Sequence, residues 1–177
     1  MKQLIILLLG FVLVNNYALS AGLGLTPMLG FARKGEKTLV LGLAVTAVTV
    51  LSAGILWLLR DLIPGYWQIL AALVVVLLLV YLLQLVCGRK LGVFFPVVAL
   101  NSAVLGLSLN MLSADSLGKV LLSALGVGLG FLFGMFLLSG VQERLEEDKA
   151  PAAFRGFPLQ ILAAAIVAMA LTAFQFK

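Results

Sequence analysis

Long runs of apolar residues, separated by short polar stretches, cover almost the whole chain. A membrane-spanning helix needs about 20 mostly apolar residues, because the hydrocarbon core is roughly 30 Å thick and a helix rises about 1.5 Å per residue. The pattern predicts an all-α membrane protein with six transmembrane helices, at residues 3–25, 38–59, 67–86, 91–112, 117–140 and 157–176. Because the connections are short, we expect one transmembrane domain of residues 1–177.

Two of these runs, the first and the fourth, carry polar and helix-weakening residues at their centres. In the first run these are Asn15, Asn16, Ser20, Gly22, Gly24, Thr26 and Pro27, and in the fourth Pro96, Asn101, Ser102, Gly106, Ser108 and Asn110. We therefore expect both helices to be interrupted. The two are three crossings apart, so the second half (about 89–177) is predicted to be an inverted repeat of the first (about 1–88).

Interrupted helices at corresponding positions of inverted halves indicate a site near the middle of the bilayer. Non-helical backbone at that depth must be covered by protein or line a cavity. The residues of this predicted midplane polar motif are Asn15, Asn16 and Asn101. The alternative interpretation is that these side chains only form hydrogen bonds between packed helices.

Charge indicates orientation. The chain is 63% hydrophobic and 11% charged, which excludes an ordinary soluble domain. Eight basic residues lie in the odd-numbered loops and two in the even ones: Arg33, Lys34, Lys37, Arg89, Lys90, Arg144, Lys149 and Arg155 against Arg60 and Lys119. Basic loops stay in the cytoplasm. We therefore expect a bacterial-type inner membrane with both termini on the outer side, and the scattered basic residues predict no nucleic-acid partner.

Reactive groups are few in this sequence. The seven acidic residues fall in loops or at the ends of spans, and there is no histidine. We recognise no nucleotide-binding loop and no catalytic set, so no catalytic residue is predicted and the chain is not expected to be an enzyme by itself. One cysteine, Cys87, cannot form a metal site or an internal disulfide, so no metal site is predicted.

Several motifs resemble one known family, the RnfA (RsxA) and NqrE family, over nearly the whole chain. They are Leu13-Val14-Asn15-Asn16, Leu23-Gly24-Leu25-Thr26-Pro27, Asn101-Ser102-Ala103-Val104-Leu105-Gly106, Glu143-Arg144-Leu145 and Phe154-Arg155-Gly156. The resemblance implies a six-helix subunit of an ion-translocating complex that couples electron flow, between ferredoxin or NADH and an acceptor, to Na⁺ or H⁺ movement. It also implies a paralogous partner subunit of the RnfE or NqrD type, packed in the opposite orientation.

The sequence departs from that family at two positions. Where the family has cysteines that hold an intramembrane [2Fe-2S] cluster with an equivalent pair from the partner, this chain has Thr26 and Ser102. Iron–sulfur clusters are held by thiolates, and neutral hydroxyls are poor substitutes. Thr26 and Ser102 are therefore the candidate cofactor positions by resemblance, but the cluster does not carry over to them and the cofactor is unknown.

Three hypotheses follow for the function. In the first, the chain is a midplane scaffold or electron conduit of an Rnf/Nqr-like complex. In the second, it is a small inverted-repeat transporter or channel without a redox role, which passes an ion or polar solute between Asn15, Asn16, Thr26, Asn101 and Ser102. In the third, it is a purely structural membrane protein of the complex in which these residues only connect helices by hydrogen bonds.

Overall fold

The computed structural model describes residues 10, 22–31, 35–87, 98–99, 101–145 and 151–173. Within these ranges the chain forms helices and turns and no strand. The α-helices are α1 (Leu25–Phe31), α2 (Gly35–Leu59), α3 (Gln68–Cys87), α4 (Ser102–Asn110), α5 (Leu117–Arg144) and α6 (Phe157–Thr172). Short 3₁₀ turns occupy Gly65–Trp67, Met111–Ser113 and Ala152–Phe154.

Three helical segments are long and apolar enough to cross a membrane: Thr38–Leu59, Gly65–Val86 and Leu117–Arg144. A shorter apolar helix covers Phe157–Leu171. These segments coincide with the predicted second, third, fifth and sixth spans, although α5 continues past residue 140 to Arg144. The prediction of an all-α, multi-pass membrane protein is confirmed.

The two halves of the chain repeat one order of elements. Each half has a short helix that follows a break, then its longest helix, then a third helix; the lengths are 7, 25 and 20 residues for α1–α3 and 9, 28 and 16 for α4–α6. The equivalent helices α2 and α5 run antiparallel, because contacts move down α5 as they move up α2, from Gly42–Leu132 to Gly54–Leu121. This arrangement agrees with the predicted inverted repeat.

Helices α2 and α5 meet in the closest helix–helix interface of the described structure, which we call the α2–α5 seam. A methyl group on Gly128 would lie 2.6 Å from Thr46 Cγ2 and 2.8 Å from Thr46 Cα, and one on Gly42 would lie 2.6 Å from Leu132 Cδ1. Small residues let two backbones approach in this way and gain van der Waals contact. The predicted packing face of α5 is also buried, at Gly126, Gly130 and Gly134.

The buried hydroxyl groups of α2 are all hydrogen-bonded within the protein. Thr46 and Thr49 donate to the carbonyls of Gly42 and Val45 at 2.7 and 2.6 Å. Ser52 Oγ lies 3.2 Å from the Thr49 carbonyl and 3.1 Å from Ser108 Oγ of α4. Because these groups have partners, their burial in an apolar bundle carries little desolvation penalty.

One end of the seam is fastened to the loop before α5. Trp57 Nε1 and Arg60 Nη1 both donate to the Ala114 carbonyl, at 2.9 and 2.8 Å. The Arg60 guanidinium also lies 4.5 Å from the centre of the Trp57 ring, a cation–π contact. This cluster connects the end of α2 to the loop that precedes α5.

Candidate functional site

The first helix break lies at Gly22–Gly24. Gly22 and Gly24 have φ values of +68° and +81°, which L side chains rarely adopt. The backbone becomes helical at Leu25, and the Met28 amide donates to the Gly24 carbonyl at 3.4 Å. The predicted first span ended at residue 25, whereas in the structure a helix begins there and continues to Phe31, so the helical chain extends past the predicted end.

Gly24 is enclosed by side chains from the second half of the protein. A methyl group at this position would lie 2.7 Å from Asn101 Oδ1 and 3.0 Å from Phe131 Cε2. Position 24 therefore requires glycine for two reasons: its φ is positive, and its neighbours leave no room for a Cβ atom.

The second break lies at Asn101, a residue of the predicted midplane motif. Val98 and Ala99 are helical, Asn101 is not, and α4 begins at Ser102. Asn101 acts as the N-cap of α4, because its Oδ1 accepts the Ala103 amide at 3.0 Å. Its carbonyl accepts the Val104 and Leu105 amides at 3.1 and 3.3 Å. An asparagine cap explains how a helix can restart inside an apolar segment.

The two breaks contact each other directly. The Gly24 amide donates to Ser102 Oγ at 2.9 Å, across 78 residues of sequence. Asn101 and Ser102 of the second half thus meet Gly24, which lies two residues before Thr26. We call Gly24, Thr26, Asn101 and Ser102 the break junction. Asn15 and Asn16, the other predicted members of this site, lie outside the described residues.

The break junction lies halfway along a spanning helix. Phe131, whose ring borders Gly24, is at the middle of the 28-residue helix α5. At about 1.5 Å per residue, the junction is roughly 20 Å from either end of that helix along its axis. The predicted site near the middle of the bilayer stays a prediction.

Two sides of the break junction differ in exposure. Asn101 is completely buried, and its Nδ2 has no hydrogen-bond partner among the described residues. Thr26 and Ser102, the two candidate cofactor positions, are exposed on the surface of the chain. The junction therefore places two exposed hydroxyl-bearing residues on a bundle whose exposed surface is otherwise rich in large apolar residues.

Sequence reasoning missed two contacts at or near this site. Phe131 gives no local signal, because it is one of several large residues in an apolar helix and only the fold brings it to Gly24. The Ser52–Ser108 pair could have been suspected from α2, where Thr46, Thr49 and Ser52 recur at three-residue spacing and so share one helix face.

A [2Fe-2S] cluster does not fit the residues of the break junction. The side-chain ligands available are neutral hydroxyls, and the Ser102 hydroxyl already accepts the Gly24 amide. Clusters need thiolate ligands, and the single cysteine of the chain cannot supply two. Within the described ranges, no three His, Cys, Asp or Glu side chains are close enough to hold a metal ion.

Comparison with known proteins supports the resemblance noted in the sequence. The family model for Rnf-Nqr subunits, described as membrane proteins, matches residues 4–177. The chain is 38% identical to a subunit of the ion-translocating oxidoreductase complex of Syntrophotalea carbinolica, over 98% of this chain and 97% of that protein. It is 33% identical to a subunit of the Na(+)-translocating ferredoxin:NAD(+) oxidoreductase complex of Acetobacterium woodii, over 97% and 96%. The chain belongs to the Rnf-Nqr family of membrane subunits.

Proposed function

We propose that this chain is a membrane subunit of an Rnf-type ion-translocating oxidoreductase complex, in which the break junction forms the midplane contact with a paralogous membrane subunit. Its relatives are named as subunits of such complexes. In this role the chain is a scaffold or conduit, and the redox chemistry belongs mainly to other subunits. Residues 1–177 act as one domain, since helices of both halves pack along the α2–α5 seam.

The observation that carries this proposal is the exposure of Thr26 and Ser102 at the depth of the middle of α5. Lipid hydrocarbon offers no hydrogen bond to a hydroxyl or to backbone at a helix break. A surface of this kind is stable only when protein covers it or water fills it. A paralogous subunit with its own pair of breaks would present matching polar groups at the same depth.

A co-purification experiment tests the proposal. The tagged chain is purified in mild detergent from membranes that contain the whole complex, and the attached subunits are identified by mass spectrometry. We expect redox subunits to co-purify together with a paralogous membrane subunit. The variant Thr26→Leu removes an exposed hydroxyl of the break junction, so we expect about tenfold less partner, equivalent to about 1.4 kcal/mol.

The matched control is Ser113→Leu, which changes an exposed hydroxyl at the end of the 3₁₀ turn after α4. It should leave co-purification unchanged. If the unmodified chain purifies without any other membrane protein of the complex, or if both variants lose it equally, the proposed contact is wrong.

We also propose that the protein lies in the bacterial inner membrane with both termini on the outer side. The distribution of basic residues supports this orientation. In a Cys87→Ser background, Ser116→Cys should react with a membrane-impermeant maleimide in intact spheroplasts, and Glu143→Cys only after lysis. Both positions are exposed, so the reverse labelling pattern would contradict the orientation.

A second candidate function is a small transporter, and one observation favours it. The buried Nδ2 of Asn101 has no hydrogen-bond partner in the part of the chain that the structure describes, as expected of a group that contacts a passing solute. The hydroxyls of Thr46, Thr49 and Ser52 do not extend such a pathway, because each is already bound inside the bundle. Ion flux through proteoliposomes of the isolated chain, abolished in Asn101→Leu, would favour transport over the scaffold role.

A further inference from the structure

We propose that the break junction of this chain is a metal-free half-site, in which the Ser102 hydroxyl fastens the two helix breaks to each other and binds no iron–sulfur cluster. This inference rests on the proposed function, because it concerns the surface assigned there to the paralogous subunit.

Backbone amides at the break junction are already hydrogen-bonded within the chain. An anionic cluster is stabilised by amide groups that donate to its sulfurs and by the free amides of helix N-termini. Here the Gly24 amide is bound to Ser102 Oγ at 2.9 Å, and the Ala103 amide is bound to Asn101 Oδ1 at 3.0 Å. Two of the donors at the breaks are therefore already bound to neutral side-chain oxygens of this chain.

The hydroxyls of Thr26 and Ser102 are neutral and would have to ionise to act as anionic ligands. For Ser102 or Thr26 to act as an anionic ligand, its hydroxyl would have to lose a proton in the middle of an apolar bundle. The nearest described charged residues along α5, Lys119 and Glu143, are each 12 positions from Phe131, or about 18 Å along the helix. Along the described length of α5, no base or cation is thus near enough to stabilise an alkoxide, and a charge formed near the middle of a bilayer is costly.

The Ser102 hydroxyl forms a hydrogen bond inside the protein. The bond between Gly24 and Ser102 joins residues 78 apart and connects the two halves of the inverted repeat. It satisfies the amide of a glycine in positive-φ backbone, a buried group that needs a hydrogen-bond partner. A serine at position 102 therefore has a structural role that needs no metal.

An iron difference measurement tests the inference. The complex is purified without oxygen from the unmodified chain and from Thr26→Val and Ser102→Ala variants, and iron and acid-labile sulfide are measured per chain. The measurement is made only on the fraction of each preparation that retains all subunits, so iron bound by other subunits is common to all of them and cancels. We expect no difference. Two more irons and two more sulfides in the unmodified complex than in either variant would overturn the inference. Thr26→Val leaves the Gly24–Ser102 bond intact, so it provides the comparison even if Ser102→Ala does not assemble.

A gain-of-cluster variant is the positive control. The double substitution Thr26→Cys, Ser102→Cys restores two thiols, and we expect it to add iron and sulfide and the visible absorption of a [2Fe-2S] cluster. If this variant adds no iron, the two positions do not correspond to a cluster half-site and the inference fails.

The thermal midpoint of the isolated chain tests the structural role of the Ser102 hydroxyl. Ser102→Ala should lower the thermal midpoint by roughly 2–4 °C, the shift expected when one hydrogen bond is lost from a chain of this size. Ser102→Thr, which keeps the hydroxyl, should lower it less. An unchanged midpoint in Ser102→Ala would overturn the role given to this side chain.

Loss of co-purification counts against the proposed function, whereas an iron difference in an assembled complex counts only against this inference.

Discussion

The α2–α5 seam and the break junction both contain polar residues in an apolar bundle, but these residues differ in burial and in hydrogen bonding. In the seam, the hydroxyls of Thr46, Thr49 and Ser52 are buried and bound to partners in the same chain. At the break junction, Thr26 and Ser102 face outward, although Ser102 also accepts an amide. The hydroxyls of the seam are buried within one chain, whereas Thr26 and Ser102 lie exposed at the surface of that chain.

This difference predicts that substitutions in the two regions have different consequences. A change in the seam should reduce stability and reduce assembly only as far as the chain unfolds. A change at the junction should reduce assembly more than stability. Three single substitutions and one double-mutant cycle follow, in order of decreasing expected change in the free energy of unfolding.

Gly128→Ala should have the largest effect on stability. The new methyl would lie 2.8 Å from Thr46 Cα, a backbone atom that no side-chain rotation can move away, so α2 and α5 must separate. We expect the free energy of unfolding to fall by about 3 kcal/mol, measured by denaturation in detergent with tryptophan fluorescence. Gly140→Ala in the same helix, where nothing lies within 4 Å, should be neutral or stabilising. Equal effects would show that the seam is not tightly packed.

Gly24→Ala should cost about 2 kcal/mol, because alanine at φ +81° is strained and its methyl would meet Asn101 and Phe131. The control is Gly22→Ala, which has a similar positive φ of +68° and, among the described residues, only Leu25 Cδ1 nearby, at 3.7 Å. The difference between the two measures the cost of separating the breaks. In the purified complex, Gly24→Ala should also lose more partner than Gly128→Ala at equal destabilisation; the opposite ranking would reverse the roles assigned to the two regions.

Gln142→Met should raise the free energy of unfolding by about 1 kcal/mol. Gln142 lies near the end of α5, is 5% exposed, and has no hydrogen-bond partner for either side-chain polar atom. Methionine has a similar volume and leaves no amide unsatisfied. Gln160→Met, at a half-buried position of α6, should have little effect. A loss of stability in Gln142→Met alone would reveal a partner for this amide, such as a bound water.

The smallest effect should come from the hydrogen bond between Ser52 and Ser108. In a double-mutant cycle of Ser52→Ala and Ser108→Ala, we expect a coupling energy of about 0.6 kcal/mol, the average for such bonds inside membrane proteins. The pair Ser52→Ala and Ser139→Ala, whose positions lie far apart along the α2–α5 seam, should be additive. A coupling energy near zero would show that α2 and α4 are held together by packing alone.

The spans could be predicted from sequence because hydrophobic length is a local property. The apolar run at 38–59 is the spanning segment Thr38–Leu59 of α2, and the run at 67–86 matches α3 to within a residue at either end. The breaks were also predictable, because glycine, asparagine and proline disturb helices wherever they occur. The position of the first break was less clear, since an apolar run does not show whether its glycines end a helix or interrupt it.

The contacts of the candidate site could not be predicted in the same way. Nothing in the sequence around Gly24 indicates that its amide will find Ser102, or that Phe131 will border it. The inverted repeat predicts that the breaks share a depth, but not that they touch. Likewise, the exposure of Thr26 and Ser102 depends on how α1 and α4 are rotated, and rotation is decided by packing over the whole bundle.

The Gly24–Ser102 bond also has a consequence for biosynthesis. The amide of Gly24 leaves the ribosome 78 residues before the hydroxyl that it binds. At 5–20 residues per second, the first half waits roughly 4 to 16 s for that partner. During this interval the first break is without its partner from the second half, so the nascent N-terminal half would be a natural client for an insertase or chaperone that shields it until the fourth span arrives.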